Sequence, residues 1–256
     1  MARAEPPAGF IQFSIGRANV VCAQHIADAT RSALSAGTLY DYAARNPNAR
    51  SLAGRGVAYA VPLPGNVEQV VIRHNRHGGL LAGLTRDVFR SPTRAPYELE
   101  TSLRLARAGV PSAPVLGYAT YDVAPGFCRA DVISREIVAS ADLSHALLSA
   151  NAPTRMRALT ATADLIARLS DAGARHHDLN VKNVLLREND GGVEALVLDV
   201  DRVTFGETSR AALEHNLTRM LRSARKWQTR YGARVTDAEL DAFARGLVGS
   251  PRTTSS

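Results

Sequence analysis

Lysine is almost missing from this 256-residue chain: Lys182 and Lys226 are the only two, and the other 29 of its 31 basic residues are arginine. Cysteine is as scarce. Cys22 and Cys128 are too few for a disulfide framework or a zinc cluster, a pattern that fits a reducing cytosol. Aromatic residues make up 5% of the chain, which excludes the interleaved stacking platform of a single-strand binder, so no nucleic-acid partner is expected. No apolar run approaches the length of a membrane span, and the opening MARAEPPAGF lacks the apolar stretch of a secretion signal. The expectation is a cytoplasmic protein whose contact with membrane, if any, is peripheral.

What is present is the composition of a folded protein. Apolar residues are 45% and charged residues 21%, enough core for one large domain or two closely packed lobes. The net charge of +7 suits anionic partners such as phosphates, acidic head groups or nucleic acid, without choosing among them.

Along the chain, an apolar segment at Phe10–Ile15 precedes a predicted helix over Ala27–Arg45, broken by Asn46-Pro47-Asn48. GRGVAYAVPL and VEQVVIRHN read as a β-hairpin turning at Pro64-Gly65-Asn66. A basic loop with glycines follows to about Arg94, then a helix from Pro96 to Ala108, stopped by Gly109 and Pro111. GYATYD and ADVISREIV are further strands, and Asp142–Ala150 a short helix. Asn151 caps a longer helix whose apolar positions Met156, Leu159, Ala163, Ile166 and Leu169 recur at helical spacing. VKNVLL and VEALVLDV form a second hairpin around Asp190-Gly191-Gly192. Helices over Thr208–Tyr231 and after the capping box Thr236-Asp237-Ala238-Glu239 complete the chain.

The chemistry concentrates in ARHHDLNVKNVLL, from Ala174. Asp178 can accept a proton from a hydroxyl nucleophile, and Asn183, five residues on, offers a carbonyl oxygen from the same loop. Asp199 follows directly on the apolar strand end Leu198, where an unpaired buried charge would be costly. Phosphoryl transfer needs such parts: a residue that positions the nucleophile, oxygen ligands for magnesium, and cations for phosphates. The bland alternative is a polar loop leading into a buried strand. His176 and His177 have no cysteine or third histidine near them, so bracing the loop is favoured over metal binding for His176.

With HHDLNVKN followed by LDVD, the chain resembles the protein-kinase-like fold, and within it the bacterial lipopolysaccharide inner-core kinases, especially the 3-deoxy-D-manno-octulosonic acid (Kdo) kinases. Gly54-Arg55-Gly56, the IRHNRHGGLLAGL segment from Ile72, Glu98 ahead of GVPSAPV, Arg129-Ala130-Asp131, and Asn216-Leu217-x-Arg219 carry the narrower match over about residues 54–225. The resemblance implies an α+β fold of two lobes: a smaller antiparallel lobe with one key helix over residues 51–138, and a larger helical lobe over 139–250. Residues 1–50 would be an extension packed on the first lobe, and 251–256 a disordered tail.

It further implies ATP and magnesium as cofactors, Asp178 as the catalytic residue, and Asn183 and Asp199 as metal ligands. Gly54 and Gly56 would let backbone approach the nucleotide. Arg73 would take the place of the strand lysine, with Glu98 as its helix partner and Glu100 as the fallback, and Glu136–Val138 would meet the adenine. Arg73, Arg76, Arg86, Arg90 and Arg94 would embrace acceptor phosphates. The expected acceptor is Kdo on lipid A, at the cytoplasmic face of the inner membrane.

The sequence departs from ordinary protein kinases at three points. No lysine precedes Lys182, Val200-Asp201 stands in place of Phe-Gly, and Asn180 replaces the lysine two residues after the catalytic aspartate. Asp201 is either a second metal contact or a partner of Arg202 or Lys182. A kinase of heptose, another small sugar or an aminoglycoside stays open as the enzymatic alternative, and a nucleotide-binding pseudokinase scaffold as the non-enzymatic one.

Overall fold

Short runs of Val, Ile, Tyr and Ala build one antiparallel sheet in the first half of the chain. Its strands are β1 (Phe10–Ile15), β2 (Ala18–Ala23), β3 (Arg50–Leu52), β4 (Ala58–Pro62), β5 (Gln69–His74), β6 (Phe89–Arg90), β7 (Val115–Ala124) and β8 (Phe127–Arg135). Their order is β1-β2-β7-β8-β5-β4-β3, with β6 also paired to β8. These strands come from a computed structural model, which describes residues 5–35, 37–52, 57–65, 68–75, 87–91 and 93–248. The chain divides into two units: Met1–Leu103 with Pro114–Glu136, and Arg104–Ala113 with Ile137–Ser256.

In the first unit the hairpin expected around Pro64-Gly65 is formed by β4 and β5, with Val61 opposite Val70. The segment ANVVCA of β2, not anticipated as a strand, pairs with both β1 and β7. It carries no alternation because all but Asn19 are buried. Gly117 of β7 lies so close to β2 that a Cβ there would sit 2.6 Å from the Val21 carbonyl oxygen.

The single helix expected over Ala27–Arg45 is two, α1 (Ala27–Leu34) and α2 (Leu39–Arg45). The cause is local. Gly37 sits at φ 134°, and Thr38 and Asp41 form a reciprocal capping box that starts a new helix. Both helices pack on the sheet face presented by Val70 and Ile72, in a cluster with Val20, Cys22, Ile26, Leu34, Leu39 and Ile133. Each fully buried Ile or Leu there contributes about 1.5–3 kcal/mol. Side chains alternate along β5, so Arg73 projects from the opposite face. There helix α3 (Ala95–Arg107) brings up Glu98.

A polar cluster interrupts the packing on the α1–α2 side. Asp131 is 0% exposed and accepts from the Tyr121 hydroxyl (2.8 Å), the Tyr40 N–H (3.0 Å) and His74 Nδ1 (2.5 Å). Tyr121 in turn accepts from the Leu39 N–H at 2.9 Å, so the start of α2 is moored to β7 and β8. On its other side His74 Nε2 meets Asp87 at 3.3 Å. Burial alone would push the His74 imidazole down, but the hydrogen bonds and charges of Asp131 and Asp87 outweigh it and hold it above the ordinary histidine range.

The second unit contains β9 (Ser140–Asp142), α4 (Leu143–Leu148), α5 (Ala152–Asp171), β10 (Ala174–His176), β11 (Val184–Asn189), β12 (Gly192–Val197), β13 (Val203–Phe205), α6 (Ser209–Tyr231) and α7 (Asp237–Val248). The hairpin expected at Asp190-Gly191-Gly192 is β11–β12, extended by β9, and β10 pairs with β13. Asn151 caps α5 as expected, its Oδ1 accepting from the Thr154 N–H.

On α5 one expected core position is wrong. Met156 is 39% exposed, and its neighbour Arg155 is buried instead. Arg155 donates to both carboxylate oxygens of Glu239 and to the carbonyls of Ser149 and Ala150. That bidentate bond ties the start of α5 to Glu239, the box partner in the first turn of α7, so Arg155 takes an inward position there. The box itself is formed, with the Thr236 N–H donating to Glu239 at 2.7 Å and the Glu239 N–H to Thr236 at 3.2 Å.

Candidate active site

The loop between β10 and β11 is organised around His176, which is 0% exposed. Its Nε2 lies 2.9 Å from the Leu198 carbonyl, and its Nδ1 accepts the Asp178 N–H at 3.1 Å. A carbonyl only accepts and an amide N–H only donates, so the proton sits on Nε2 and the ring is neutral. Burial pushes its pKa down, against the Leu198 bond and the charges of Asp199, Asp178 and Asp201, which favour protonation. Bracing is therefore the role His176 performs, and exposed His177 does the same at the rim, with Nε2 2.8 Å from Thr204 Oγ1.

Asn183 donates its amide Nδ2 to the carbonyl of Asp178 at 2.8 Å. A side-chain amide held by its nitrogen presents its oxygen in a fixed direction, as a ligand oxygen requires. The Leu198 N–H donates to the Asn183 carbonyl at 2.9 Å, which lays Asn183 beside the residue preceding Asp199. Backbone bonds thus draw together the loop that carries Asp178 and Asn183 and the strand end that carries Asp199.

Asp199 itself is exposed, and among the described residues no side chain pairs with its carboxylate. Its backbone is left-handed, at φ 54° and ψ 47°, which strains any residue with a Cβ. Asp201, the neighbouring acid, is 3.7 Å from Arg202. Lys182 pairs instead with Asp142, at 2.9 Å. Together Asn183 and Asp199 offer hard oxygen donors and leave most positions to water and phosphate, a set that fits magnesium.

Asp178 keeps company that its own loop does not supply. Arg219 on α6 donates from Nη2 to Asp178 Oδ1 at 3.0 Å. One turn earlier on that helix, buried Asn216 accepts the His176 N–H at 3.0 Å and donates to the Ala174 carbonyl at 2.9 Å. The spelling Asn216-Leu217-x-Arg219 was legible as a motif. The signal for its role is the three-residue spacing, which puts both side chains on one helix face.

In the first unit the expected pair is formed: Arg73 Nη2 donates to Glu98, which is 3% exposed, and Nη1 donates to Asn75 at 3.3 Å. The fallback, Glu100, is exposed. At the expected adenine-binding segment, the Glu136 N–H donates to the Gln69 carbonyl, the Glu136 carboxylate pairs with Arg50, and Val138 is 61% exposed. Arg90 and Arg94 are exposed. Gly54, Gly56, Arg76 and Arg86 lie outside the described residues, as does the tail 251–256.

Comparison with known proteins adds four findings. Residues 43–246 match the model of the lipopolysaccharide kinase (Kdo/WaaP) family. A 3-deoxy-D-manno-octulosonic acid kinase of Vibrio parahaemolyticus is 31% identical over 202 residues, 73% of this chain and 80% of that protein. Another, of Stenotrophomonas maltophilia, is 32% identical over 177 residues, 66% of each chain. Among solved structures, WaaP in complex with acyl carrier protein superposes with a TM-score of 0.57 at 15% identity, covering 91% of this chain and 89% of that one. At that identity the likeness concerns the fold alone, which is the α+β fold of the kinases.

Proposed function

The chain belongs to the lipopolysaccharide kinase (Kdo/WaaP) family, and on that premise we propose that it transfers the γ-phosphoryl group of ATP to a hydroxyl of Kdo attached to lipid A. The observation that carries the reading is the loop built on His176. It fixes Asp178 and Asn183 and draws them towards Asp199, an exposed carboxylate with no side-chain partner among the described residues, on a strained backbone.

In the proposed reaction Asp178 orients the acceptor hydroxyl and takes its proton as the oxygen bonds to the γ-phosphorus and the bond to ADP breaks. Asn183 and Asp199 would hold magnesium, which when bound neutralises phosphate charge. Arg73, fixed by Glu98, steadies the nucleotide phosphates; its guanidinium is always charged and can grip them in two places. The chain's positive charge suits an anionic leaflet, and no described helix is long and apolar enough to cross a membrane. The enzyme would then work as a peripheral protein on lipid-borne acceptor.

Incubation with Kdo-lipid A and γ-labelled ATP tests this. Label recovered as a phosphate ester on the Kdo sugar is the expected result. Label on a soluble heptose or aminoglycoside only, or none on any acceptor, would overturn it.

A further inference from the structure

One face of α6 meets the catalytic loop at three places. Asn216, Arg219 and Ser223 stand at i, i+3 and i+7, and so share one face of the helix. Asn216 holds the Ala174 carbonyl and the His176 N–H, at 2.9 and 3.0 Å. Arg219 holds Asp178 Oδ1 at 3.0 Å, and Ser223 Oγ accepts the Val181 N–H at 3.2 Å. The first contact lies before Asp178, the second on it and the third after it. Only the second touches a side chain that the proposed chemistry uses.

At the loop position where a lysine would supply a cation stands the neutral Asn180, and its side chain is spent locally. Nδ2 donates to the Asp178 carbonyl at 2.8 Å, and Oδ1 accepts the Lys182 N–H at 2.9 Å. Lys182 reaches away to Asp142 and lies 5.3 Å from the Trp227 ring centre. A cation, Arg219, does reach the Asp178 carboxylate, from a helix about forty residues downstream. The Arg219 side chain is 34% exposed, and its Nε is buried.

We propose that Arg219 is the positioning residue of the catalytic aspartate: it holds Asp178 Oδ1 and so fixes the orientation in which the carboxylate meets the acceptor hydroxyl. The inference rests on the reading of Asp178 given above. A carboxylate gripped through one oxygen loses its freedom to rotate, and small losses of aim at a reacting centre cost about 100-fold in rate. The role is distinct from substrate binding, so its removal acts on turnover.

Steady-state kinetics of phosphate transfer to Kdo-lipid A separate the possibilities. Arg219→Ala should lower kcat about 30- to 100-fold, leave KM for ATP and acceptor within about threefold of wild type, and recover at least fivefold on addition of guanidinium at millimolar concentration. Arg222→Met, on the exposed side of the same helix, should match wild type and exclude a general effect of lost charge. Unchanged kcat in Arg219→Ala, a loss confined to KM, or a lowered kcat that guanidinium does not restore would each overturn the assignment. Asp178→Asn tells the two readings apart. If it is inactive while Arg219→Ala is unimpaired, only the positioning role fails; if it keeps full activity, the reading of Asp178 fails with it.

Discussion

Asp131 stands within the β7–β8 hairpin and Asp199 just past the β11–β12 hairpin, and their surroundings are opposite. Asp131 lies in the first unit, 0% exposed, with a tyrosine hydroxyl, a backbone amide and an imidazole all turned towards it. Asp199 lies in the second unit, exposed, with no side-chain partner among the described residues and a left-handed backbone. A buried carboxylate is tolerated only when its acceptor sites are filled, so Asp131 stabilises the fold. An exposed carboxylate on a strained backbone gains nothing for the fold, and such strain persists where a site has use for it.

The sharpest way to break this contrast is to neutralise each acid in turn. Asp199→Asn and Asp178→Asn should each lower phosphoryl transfer about a thousandfold or more, with thermal melts close to wild type. Loss of fold with either change would erase the distinction. Asp131→Ala should do the reverse, costing about 3–5 kcal/mol of unfolding free energy in urea titration, because it strands His74 and the Tyr121 hydroxyl.

A smaller effect sharpens the comparison from the side of strain. Asp199→Gly should raise unfolding free energy by about 1 kcal/mol while abolishing turnover, since glycine adopts the left-handed region freely. A stability decrease would mean that Asp199 is held by contacts after all. The smallest effect is that of pH on His74. Its pKa is raised in the fold, so its contribution is complete below the ordinary histidine value of about 6.5 and fades as pH climbs through the raised one. The stability gap between wild type and His74→Gln should accordingly be widest near pH 6 and narrow towards pH 9, as followed by chemical denaturation.

The two acids also differ in how far the sequence alone exposes them. Asp178 and Asn183 lie in the loop before one hairpin and Asp199 just after it, where spacing along the chain translates almost directly into spacing in space. Caps at Asn151 and Thr236 are legible for the same reason, because a helix end is a matter of three or four residues. The Asp131 cluster joins β5, β7, β8 and α2, with partners up to 91 residues away in sequence, and no local pattern encodes that pairing. Strand β2 escapes because it is buried on both faces and so has no alternation to read. Met156 misleads because periodicity registers apolarity and cannot register that Arg155, held by Glu239, takes the inward position.

The grip of β2 on β7 bears on how the protein can be handled in the laboratory. The family match begins at residue 43, which invites shortening the gene to that point. A product cut there would bare the β7 edge and the apolar surface now covered by Val20, Cys22, Ile26 and Leu34, which is the makings of an aggregate. Insolubility of that fragment would then report a missing piece of its own sheet, and would say nothing about catalysis.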